Sequence, residues 1–266
     1  MVPDPRLTPA AVEPFADRFL SVAEGKCARL ARKWMDGRDG MGAPVFTRAG
    51  KYTARGWTEW TQGFLFGGSL LVFDATGDRA ALDAGIRGTL DRMAPHVSHI
   101  GVHDHGFNNV STYGTLRRLI LEGKVADEGG MLAQCELALK VSGAVQAARW
   151  TATTETGGGY VYSFNGPHSL FCDTIRSCRS LVLAHQLGHA LMGENDRPVS
   201  LLDRAAAHIR STLAWNVFYG EGRDIYDVPG RVAHESLFNV NDGKFRCPST
   251  QQGYSPFTTW TRGLAW

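Results

Sequence analysis

The sequence predicts an all-α protein built from helix hairpins, and three observations lead to this prediction. Apolar residues recur at three- and four-residue steps through most of the chain, which is the pattern of a helix with one buried face. Short turns with glycine or proline separate these stretches, so consecutive helices should lie antiparallel. The stretch 230–248, "GRVAHESLFNVNDGKFRCP", is the only one that reads as a β-hairpin, with Asp242-Gly243 as its turn.

The first predicted helix covers residues 7–35, "LTPAAVEPFADRFLSVAEGKCARLARKWM". Thr8 is a suitable N-cap, because a threonine side chain accepts a hydrogen bond from the first turn. Pro9 follows in that turn, where its missing N–H is not needed.

Three helix hairpins follow along the chain. The first turns at Gly77, a suitable C-terminal stop, and Asp78, a suitable N-cap. The second turns at Gly129-Gly130. In the third, one helix should end near Gly193, and Ser200 should cap the next after a short polar turn.

Length and composition indicate one large domain spanning residues 1–266, without a linker. The net charge is +2 and its signs are interspersed, which argues against a nucleic-acid or membrane-surface role. We find no apolar run near the ~18 residues of a membrane span and no secretory signal at the start. Five cysteines without a CxxC pair indicate free thiols in a reducing compartment, and we therefore expect a cytoplasmic protein.

Polar clusters with aromatic residues recur where helices begin or loops return. They are "WTEWTQGF" (57–64), "GVHDHGFNNVSTYG" (101–114), "NGPHSLFCDTIRS" (165–177), "RVAHES" (231–236) and "TQQGYSPFTTWTRGLAW" (250–266). An aromatic face beside a few polar groups is typical of a pocket that stacks on a sugar ring and hydrogen-bonds its rim. We therefore expect a sugar-binding pocket.

The cluster His103-Asp104-His105 has three interpretations: a metal site, a helix cap, or a carboxylate held for proton transfer. Adjacent side chains diverge, and no second cluster has a recognised ligand spacing, so a metal site is disfavoured. His185 and His189 stand four apart, but "HQLGH" lacks the glutamate of a metalloprotease motif. The residues alone leave a cap and an acid open for Asp104, and likewise for Asp173 of "CDTIRS".

The order "WTQGF…TGD…HDHGF…CDTIRS…VAH…QQGYS…WTRGLAW" resembles the unsaturated glucuronyl hydrolases of glycoside hydrolase family 88. It is similar, more weakly, to the unsaturated rhamnogalacturonyl hydrolases of family 105. The resemblance runs from about residue 57 to the end and is most specific from His234 onward. It implies an (α/α)6 barrel and release of the Δ4,5-unsaturated uronic acid that polysaccharide lyases leave on oligosaccharides.

Such a sugar carries a vinyl ether between carbons 4 and 5, which an enzyme can hydrate. An acid delivers a proton to carbon 4, water adds at carbon 5, and the hemiketal opens to release the leaving sugar. One carboxyl group with a raised pKa can serve as acid and then as base. The resemblance assigns this role to Asp173 and places Asp104 as the second carboxylate nearby. It implies no metal and no organic cofactor.

The resemblance also implies the residues of the pocket wall. Trp60 is the sugar-stacking candidate, with Trp57 as an alternative. The remaining substrate-binding candidates are His103, His234, Gln252, Arg262 and Trp266. Arg262 and His234 offer donors to an anionic uronate, and Trp266 offers an apolar face. For Trp60 and Trp266, core packing is the alternative.

Three departures limit what can be carried over. "TIRSCRSL" adds Arg176 and Arg179, and "HDHGFNN" adds polar residues where the family has apolar ones, which predicts a more polar pocket. About eight helices are predicted where six hairpins need twelve. We therefore expect a barrel incomplete at the C-terminus, a natural chain that continues, and a "WTRGLAW" segment ordered only against later helices. A rhamnogalacturonyl-type hydrolase and a non-catalytic carbohydrate-binding relative are the alternatives.

Overall fold

The computed structural model of the chain describes residues 4–35, 42–55 and 60–266. The α-helices are α1 (Pro9–Met35), α2 (Gln62–Thr76), α3 (Arg79–Arg92), α4 (Ala94–Val97), α5 (Thr115–Leu121), α6 (Met131–Ala148), α7 (Cys178–Gln186), α8 (Leu201–Trp215) and α9 (Thr261–Ala265). A π-helix covers Gly106–Gly114, and two 3₁₀ helices cover Cys172–Ser177 and Glu194–Asp196. None of the helices in these ranges combines the length and apolarity that a bilayer crossing requires.

Short strands complete the secondary structure of these residues. They are β1 (Ala43–Arg48), β2 (Lys51–Arg55), β3 (Trp150–Ala152), β4 (Gly159–Val161), β5 (Ser169–Phe171), β6 (Leu191–Met192), β7 (Pro198–Val199), β8 (Glu235–Asn239) and β9 (Lys244–Ser249). Contacts group the chain into two compact units, residues 1–94 with 111–132, and residues 95–110 with 133–266. That the chain forms one domain stays a prediction.

The first unit contains the first predicted hairpin, α2 and α3, with α1 packed against both. Gly77 adopts the left-handed conformation that ends α2, and the Asp78 side chain accepts a hydrogen bond from the Ala80 N–H. Thr8 caps α1 by accepting from the Ala11 N–H at 3.2 Å. The sequence predicted these helix boundaries correctly, because each depends on a single capping residue.

Helices α2 and α3 approach so closely that a glycine is needed between them. A Cβ atom at Gly88 would lie 2.2 Å from the Phe66 ring. Phe66 is almost fully buried, at 1% exposure, so it has no room to move aside. The close approach lets Phe66 of α2 and Leu82 of α3 be buried in this unit.

In the second unit, α6, α7 and α8 form a core through Ala147, Leu181, Ala184 and Leu201. The predicted end of α7 near Gly193 was wrong, because the helix stops at Gln186. Gly188 follows with φ +74°, a left-handed conformation, and β6 pairs with β7 after it. The predicted start of α8 was right, since the Ser200 side chain accepts from the Asp203 N–H.

The β5–β8–β9 sheet brings together two segments that are distant in sequence. The β8–β9 pair is the predicted hairpin, with its turn at Asp242-Gly243. Strand β5 adds to its edge in the antiparallel register Phe171↔Glu235, a contact that the sequence did not predict. This pairing brings the segment that begins Cys172-Asp173 beside His234. The Cys172 N–H donates a hydrogen bond to the His234 carbonyl at 3.0 Å.

The C-terminal segment packs against earlier parts of its own unit. Trp260 is buried at 6% exposure and packs with Cys172 and Val232. A Cβ atom at Gly263 would lie 2.4 Å from the Cys172 sulfur. That this segment needs later helices for its order stays a prediction.

Candidate active site

Two carboxylates converge on the buried imidazole of His103. The distance from His103 Nε2 to Asp173 Oδ1 is 3.2 Å, and to Asp104 Oδ1 it is 3.8 Å. Nδ1 of the same ring accepts a hydrogen bond from the Phe164 N–H at 3.2 Å. The neutral ring therefore carries its proton on Nε2, directed at Asp173. Asp104 and Asp173 keep 13% and 12% side-chain exposure, so a molecule entering from solvent can reach both.

The hydroxyl of Ser177 connects the two segments that carry these carboxylates. It donates to the His103 carbonyl at 2.6 Å and accepts from the Gly106 N–H at 3.1 Å. A Cβ atom at Gly106 would lie 2.5 Å from the Arg176 carbonyl oxygen. Because the two backbones touch here, only glycine fits at position 106. Sequence reasoning missed Ser177, although it belongs to the "CDTIRS" motif.

The carboxylates also determine the charge of His103. Burial is the largest single influence and lowers its pKa, but the charge of Asp104 and the hydrogen bond and charge of Asp173 outweigh it. The pKa of His103 is therefore raised above its usual range. The ring is also held by Phe171, edge-on at 5.3 Å, and by Phe164, stacked at 5.8 Å. An imidazole fixed in this way can hold Asp173 in one orientation.

A row of ring contacts leads from His103 to Arg262. The Phe171 ring lies 4.4 Å from the His234 ring, and His234 lies 4.3 Å from Trp260. The guanidinium of Arg262 lies 4.7 Å above the Trp260 ring and donates to the side-chain oxygen of Gln252. The structure thus brings His103, His234, Gln252 and Arg262 into one neighbourhood with Asp173.

His234 has a ring N–H group in this neighbourhood for which no described residue provides a hydrogen-bond acceptor. Its Nδ1 accepts from the Gln251 N–H at 3.1 Å, so the proton of the neutral ring is on Nε2. Nε2 is buried and makes no hydrogen bond within the described residues. Burial lowers the pKa of His234, although the charge of Asp173 opposes this shift. A neutral imidazole with an unused donor is suited to binding an oxygen atom of a ligand.

Trp266 packs on the other side of this neighbourhood. Its ring lies 5.0 Å from Phe107, three residues beyond Asp104, and the guanidinium of Arg176 lies 5.1 Å above it. Trp266 is half-buried and also packs against the cluster of Cys172, Val232 and Trp260. One face therefore contributes to the core, in line with the packing alternative, and part of the ring remains accessible.

Trp60 belongs to the first unit, whereas the other site candidates belong to the second. Its ring packs edge-on against Phe64 at 5.9 Å. Trp57, the alternative stacking residue, lies outside the described residues. The stacking role of Trp60 therefore stays a prediction.

His105 points away from the carboxylates into a neutral polar network. Its Nε2–H donates to the His99 carbonyl at 2.9 Å, and its Nδ1 accepts from the Ser142 hydroxyl at 2.9 Å. The Asn109 amide donates to Ser142 at 3.0 Å and to the His96 carbonyl at 3.1 Å. Burial lowers the pKa of His105 to about 4. Both ring nitrogens are therefore used by protein groups, and His103 and His105 do not face a common ligand.

Several solved structures of unsaturated glucuronyl hydrolases have a similar fold. One specific for heparin is 20% identical, with a TM-score of 0.70 over 93% of this chain and 58% of that chain. One from Bacillus sp. GL1, responsible for the degradation of glycosaminoglycan, is 19% identical, with a TM-score of 0.68 and coverages of 93% and 59%. One from Streptococcus agalactiae is 19% identical, with a TM-score of 0.65 and coverages of 93% and 56%.

These comparisons confirm the predicted fold class, the helical barrel of the unsaturated glucuronyl hydrolases. The chain spans 56% to 59% of the length of the three proteins. No family model matches the sequence. No curated protein is a significant match. At this identity the likeness establishes the fold, and the chemistry has to be argued from the site.

Proposed function

We propose that the chain is a glycoside hydrolase that releases a Δ4,5-unsaturated uronic acid from lyase-generated oligosaccharides. It acts by hydrating the vinyl ether between carbons 4 and 5 of the unsaturated ring. The observation that carries this proposal is the pair of carboxylates around His103, at 3.2 and 3.8 Å, in a fold shared with unsaturated glucuronyl hydrolases. We expect the enzyme to work in the cytoplasm on the products of a lyase.

Asp173 is the proposed acid and base. As a carboxylic acid it donates a proton to carbon 4, and positive charge develops at carbon 5 and the ring oxygen. The resulting carboxylate then accepts a proton from the water that adds at carbon 5, so the acid is regenerated. Asp104 lies on the same imidazole, 3.8 Å from His103 Nε2, and is the second carboxylate of the proposed site.

The surrounding residues supply orientation and binding. His103 fixes the orientation of Asp173 through its Nε2–H. The buried Nε2–H of His234 is a donor for a substrate hydroxyl or ring oxygen. Arg262, positioned by Gln252 and Trp260, is a partner for the uronate carboxylate. Trp266, and Trp60 by resemblance, offer faces for sugar stacking.

The test follows the conjugated double bond directly. Purified protein is mixed with a panel of lyase-generated unsaturated disaccharides, and the ultraviolet band of the double bond is recorded over time. The proposal expects the band to disappear and the leaving sugar to accumulate in equal amounts. A rhamnogalacturonyl-type hydrolase would act only on disaccharides whose leaving sugar is rhamnose.

Binding measured in parallel separates an enzyme from a carbohydrate-binding protein. Calorimetric binding without loss of the band, across the whole panel, would establish a binding protein and refute the hydrolase. If the protein neither binds nor turns over any disaccharide of the panel, both the hydrolase and the carbohydrate-binding protein are refuted. A variant with His234→Phe, which removes the buried donor and keeps a ring of similar shape, should weaken binding by roughly tenfold.

A further inference from the structure

The carboxyl group of Glu235 is buried in the sheet beside the site, and the chemistry described above does not use it. Glu235 is 2% exposed and stands opposite Phe171 in the pairing of β8 with β5. Its Oε1 accepts hydrogen bonds from the Ser169 hydroxyl and from the Asn165 side-chain amide, the latter at 3.0 Å. An oxygen whose two lone pairs both accept hydrogen bonds carries no proton. Oε1 is therefore a fixed acceptor.

This acceptor determines the direction of a chain of hydrogen bonds. The Ser169 hydroxyl gives its proton to Glu235, so towards the Ser163 hydroxyl, 2.6 Å away, it acts as an acceptor. The Ser163 hydroxyl therefore donates to Ser169, and its oxygen accepts from the Asn165 backbone N–H at 3.1 Å. Both serines are fully buried. The chain thus runs in one direction, from the Asn165 N–H through two hydroxyls to Glu235.

The same hydrogen bonds hold the backbone of the turn at residues 163–166. The Ser163 N–H donates to the Ser169 carbonyl at 3.0 Å, and the Gly166 N–H donates to the Ser163 carbonyl at 3.2 Å. Gly166 has a φ of +115°, a conformation that favours glycine. Phe164 stands between Ser163 and Asn165, which are both held by the Ser163 hydroxyl. The direction of the Phe164 N–H is therefore set by the turn.

The Phe164 N–H in turn selects the tautomer of His103. It donates to Nδ1 at 3.2 Å, which leaves the proton of the neutral ring on Nε2, 3.2 Å from Asp173 Oδ1. In the other tautomer an Nδ1–H group would face the Phe164 N–H, and a lone pair would face Asp173. The hydrogen bond that orients Asp173 thus depends on the turn at residues 163–166 and, through its hydroxyls, on Glu235.

We propose that Glu235 is a positioning residue that fixes the tautomer of His103 and, through it, the orientation of Asp173. It acts through the Ser169 and Ser163 hydroxyls and not on the substrate. The hydrogen bond at one ring nitrogen of a histidine determines which nitrogen carries the proton, and an acid or base is commonly oriented by such a third group. The expected effect on turnover rests on the proposed function, whereas the effect on the tautomer is measurable without substrate.

NMR of the ring nitrogens tests the tautomer directly, at a pH above the folded-state pKa of His103, where the ring is neutral. In the wild type the proton of His103 should be on Nε2. Glu235→Met keeps a similar length and removes the acceptor, so the Nδ1–H tautomer should become populated and the shifts of the two nitrogens should move towards each other. His105 is the internal control, because its Nε2–H donates to the His99 carbonyl, and its signals should not move.

Kinetics with an unsaturated disaccharide tests the consequence for proton transfer. In Glu235→Met, kcat should fall by roughly 10- to 100-fold, because a displaced acid slows the proton transfer. KM should change by less than about threefold, because no binding group is lost. Glu235→Gln keeps an acceptor oxygen at the same place, so it should restore the wild-type tautomer and bring kcat to within about threefold of the wild type.

Two more variants separate positioning from a general loss of stability. Ser163→Ala removes one hydroxyl of the chain and should cause the same tautomer shift, which keeps the test decisive if Glu235→Met does not fold. Thr151→Val is the matched control. The Thr151 hydroxyl donates to the Pro167 carbonyl of the same loop at 2.6 Å, where the Tyr160 hydroxyl also donates at 2.7 Å. This variant should lower stability and leave the tautomer and kcat unchanged.

The outcomes distinguish this proposal from the proposed function. If Ser163→Ala and Glu235→Met shift the tautomer while the wild type turns over no disaccharide, the hydrolase fails and the positioning role stands. If the wild type turns over its substrate and neither variant shifts the tautomer, the positioning role fails and the hydrolase stands. A tautomer shift of equal size in Thr151→Val, or no recovery in Glu235→Gln, would show general structural damage and would also overturn the positioning role.

Discussion

His103 and His105 stand two residues apart, and both are almost fully buried, yet their surroundings have opposite effects. His103 faces two carboxylates, which raise its pKa despite burial. His105 faces a hydroxyl, an amide and a carbonyl, and burial lowers its pKa to about 4. The charge of His103 is thus determined by Asp104 and Asp173, which outweigh burial, whereas at His105 burial prevails. One side of the loop is suited to proton transfer and the other side to structural support.

The largest effect is expected from removing the transferable proton on the His103 side. Asp173→Asn should reduce turnover of an unsaturated disaccharide by about 10²–10⁴-fold, because the amide keeps the shape and loses the acid. Binding should be largely retained, and the circular dichroism spectrum should be unchanged. Asp83→Asn, at an exposed position of α3, is the matched control. A variant with more than about a tenth of the wild-type rate would refute the role of Asp173.

The second effect is the contribution of His105 to the free energy of unfolding at acidic pH. Its folded-state pKa of about 4 lies below the ordinary value of 6.5, so the folded state binds this proton less readily than the unfolded state. Wild-type stability should therefore fall as the pH drops from about 6.5 to about 4, on the order of 3 kcal/mol from this residue.

A variant that cannot protonate at this position tests that expectation. His105→Gln should lower stability near neutral pH, because hydrogen bonds to Ser142 and His99 are perturbed. Its stability should then decline less steeply than that of the wild type between pH 6.5 and pH 4, measured by urea unfolding at each pH. His208, whose pKa burial lowers to about 3, retains its own contribution in both proteins. If the free energy of unfolding changed with pH in the same way in both proteins, His105 would not be neutral in the folded state as described.

The third effect is steric and concerns the close contact between Gly106 and the 3₁₀ helix Cys172–Ser177. Gly106→Ala should lower the free energy of unfolding by about 1–3 kcal/mol, because the new methyl group meets backbone atoms that cannot rotate away. Activity should fall as well, since Asp104 and the 3₁₀ helix would be pushed apart. Gly68→Ala is the control, because its Cβ atom would meet only the Cys27 sulfur at 3.7 Å. Equal stability of the two variants would refute the close contact.

The fourth and smallest effect is the pH dependence of stability contributed by His103, which has the opposite sign to that of His105. Because the folded-state pKa of His103 is raised, this residue contributes stability that is fully present below about pH 6.5 and is lost as the pH rises through its folded-state pKa. Relative to His103→Gln, the wild type should therefore lose stability on the alkaline side of pH 6.5. If the wild type instead gained stability relative to the variant above pH 6.5, the claim that the two carboxylates raise the pKa of His103 would be contradicted.

The boundaries that the sequence predicted correctly depend on one residue each. Gly77, Asp78 and Ser200 end or begin helices through their own backbone or side chain, so the signal is local. The end of α7 was missed because left-handed Gly188 outweighed an apolar pattern that continues beyond it. The π-helix after His105 and the 3₁₀ helix at Asp173 were missed because their hydrogen bonds skip five or three residues, which periodicity does not reveal.

The site was only partly accessible to sequence reasoning. The residues alone left Asp104 and Asp173 open between a cap and an acid, and only resemblance placed them together. The structure shows why: the contact between His103 and Asp173 spans 70 residues and depends on β5 pairing with β8. Ser177 and Phe164 act through a hydroxyl and a backbone N–H, groups that many residues offer, so no pattern singled them out.

Isotope labelling tests the central claim, that this carboxylate pair delivers a proton to the double bond. The wild-type protein is mixed in D₂O with an unsaturated disaccharide that it turns over, and the earliest products are analysed by NMR. Hydration of the vinyl ether predicts one deuterium at carbon 4 of the released uronate, in a single configuration, and about 10²–10⁴-fold slower formation of labelled product with Asp173→Asn. Release of the leaving sugar with no deuterium at carbon 4 would show direct cleavage of the glycosidic bond and contradict the account.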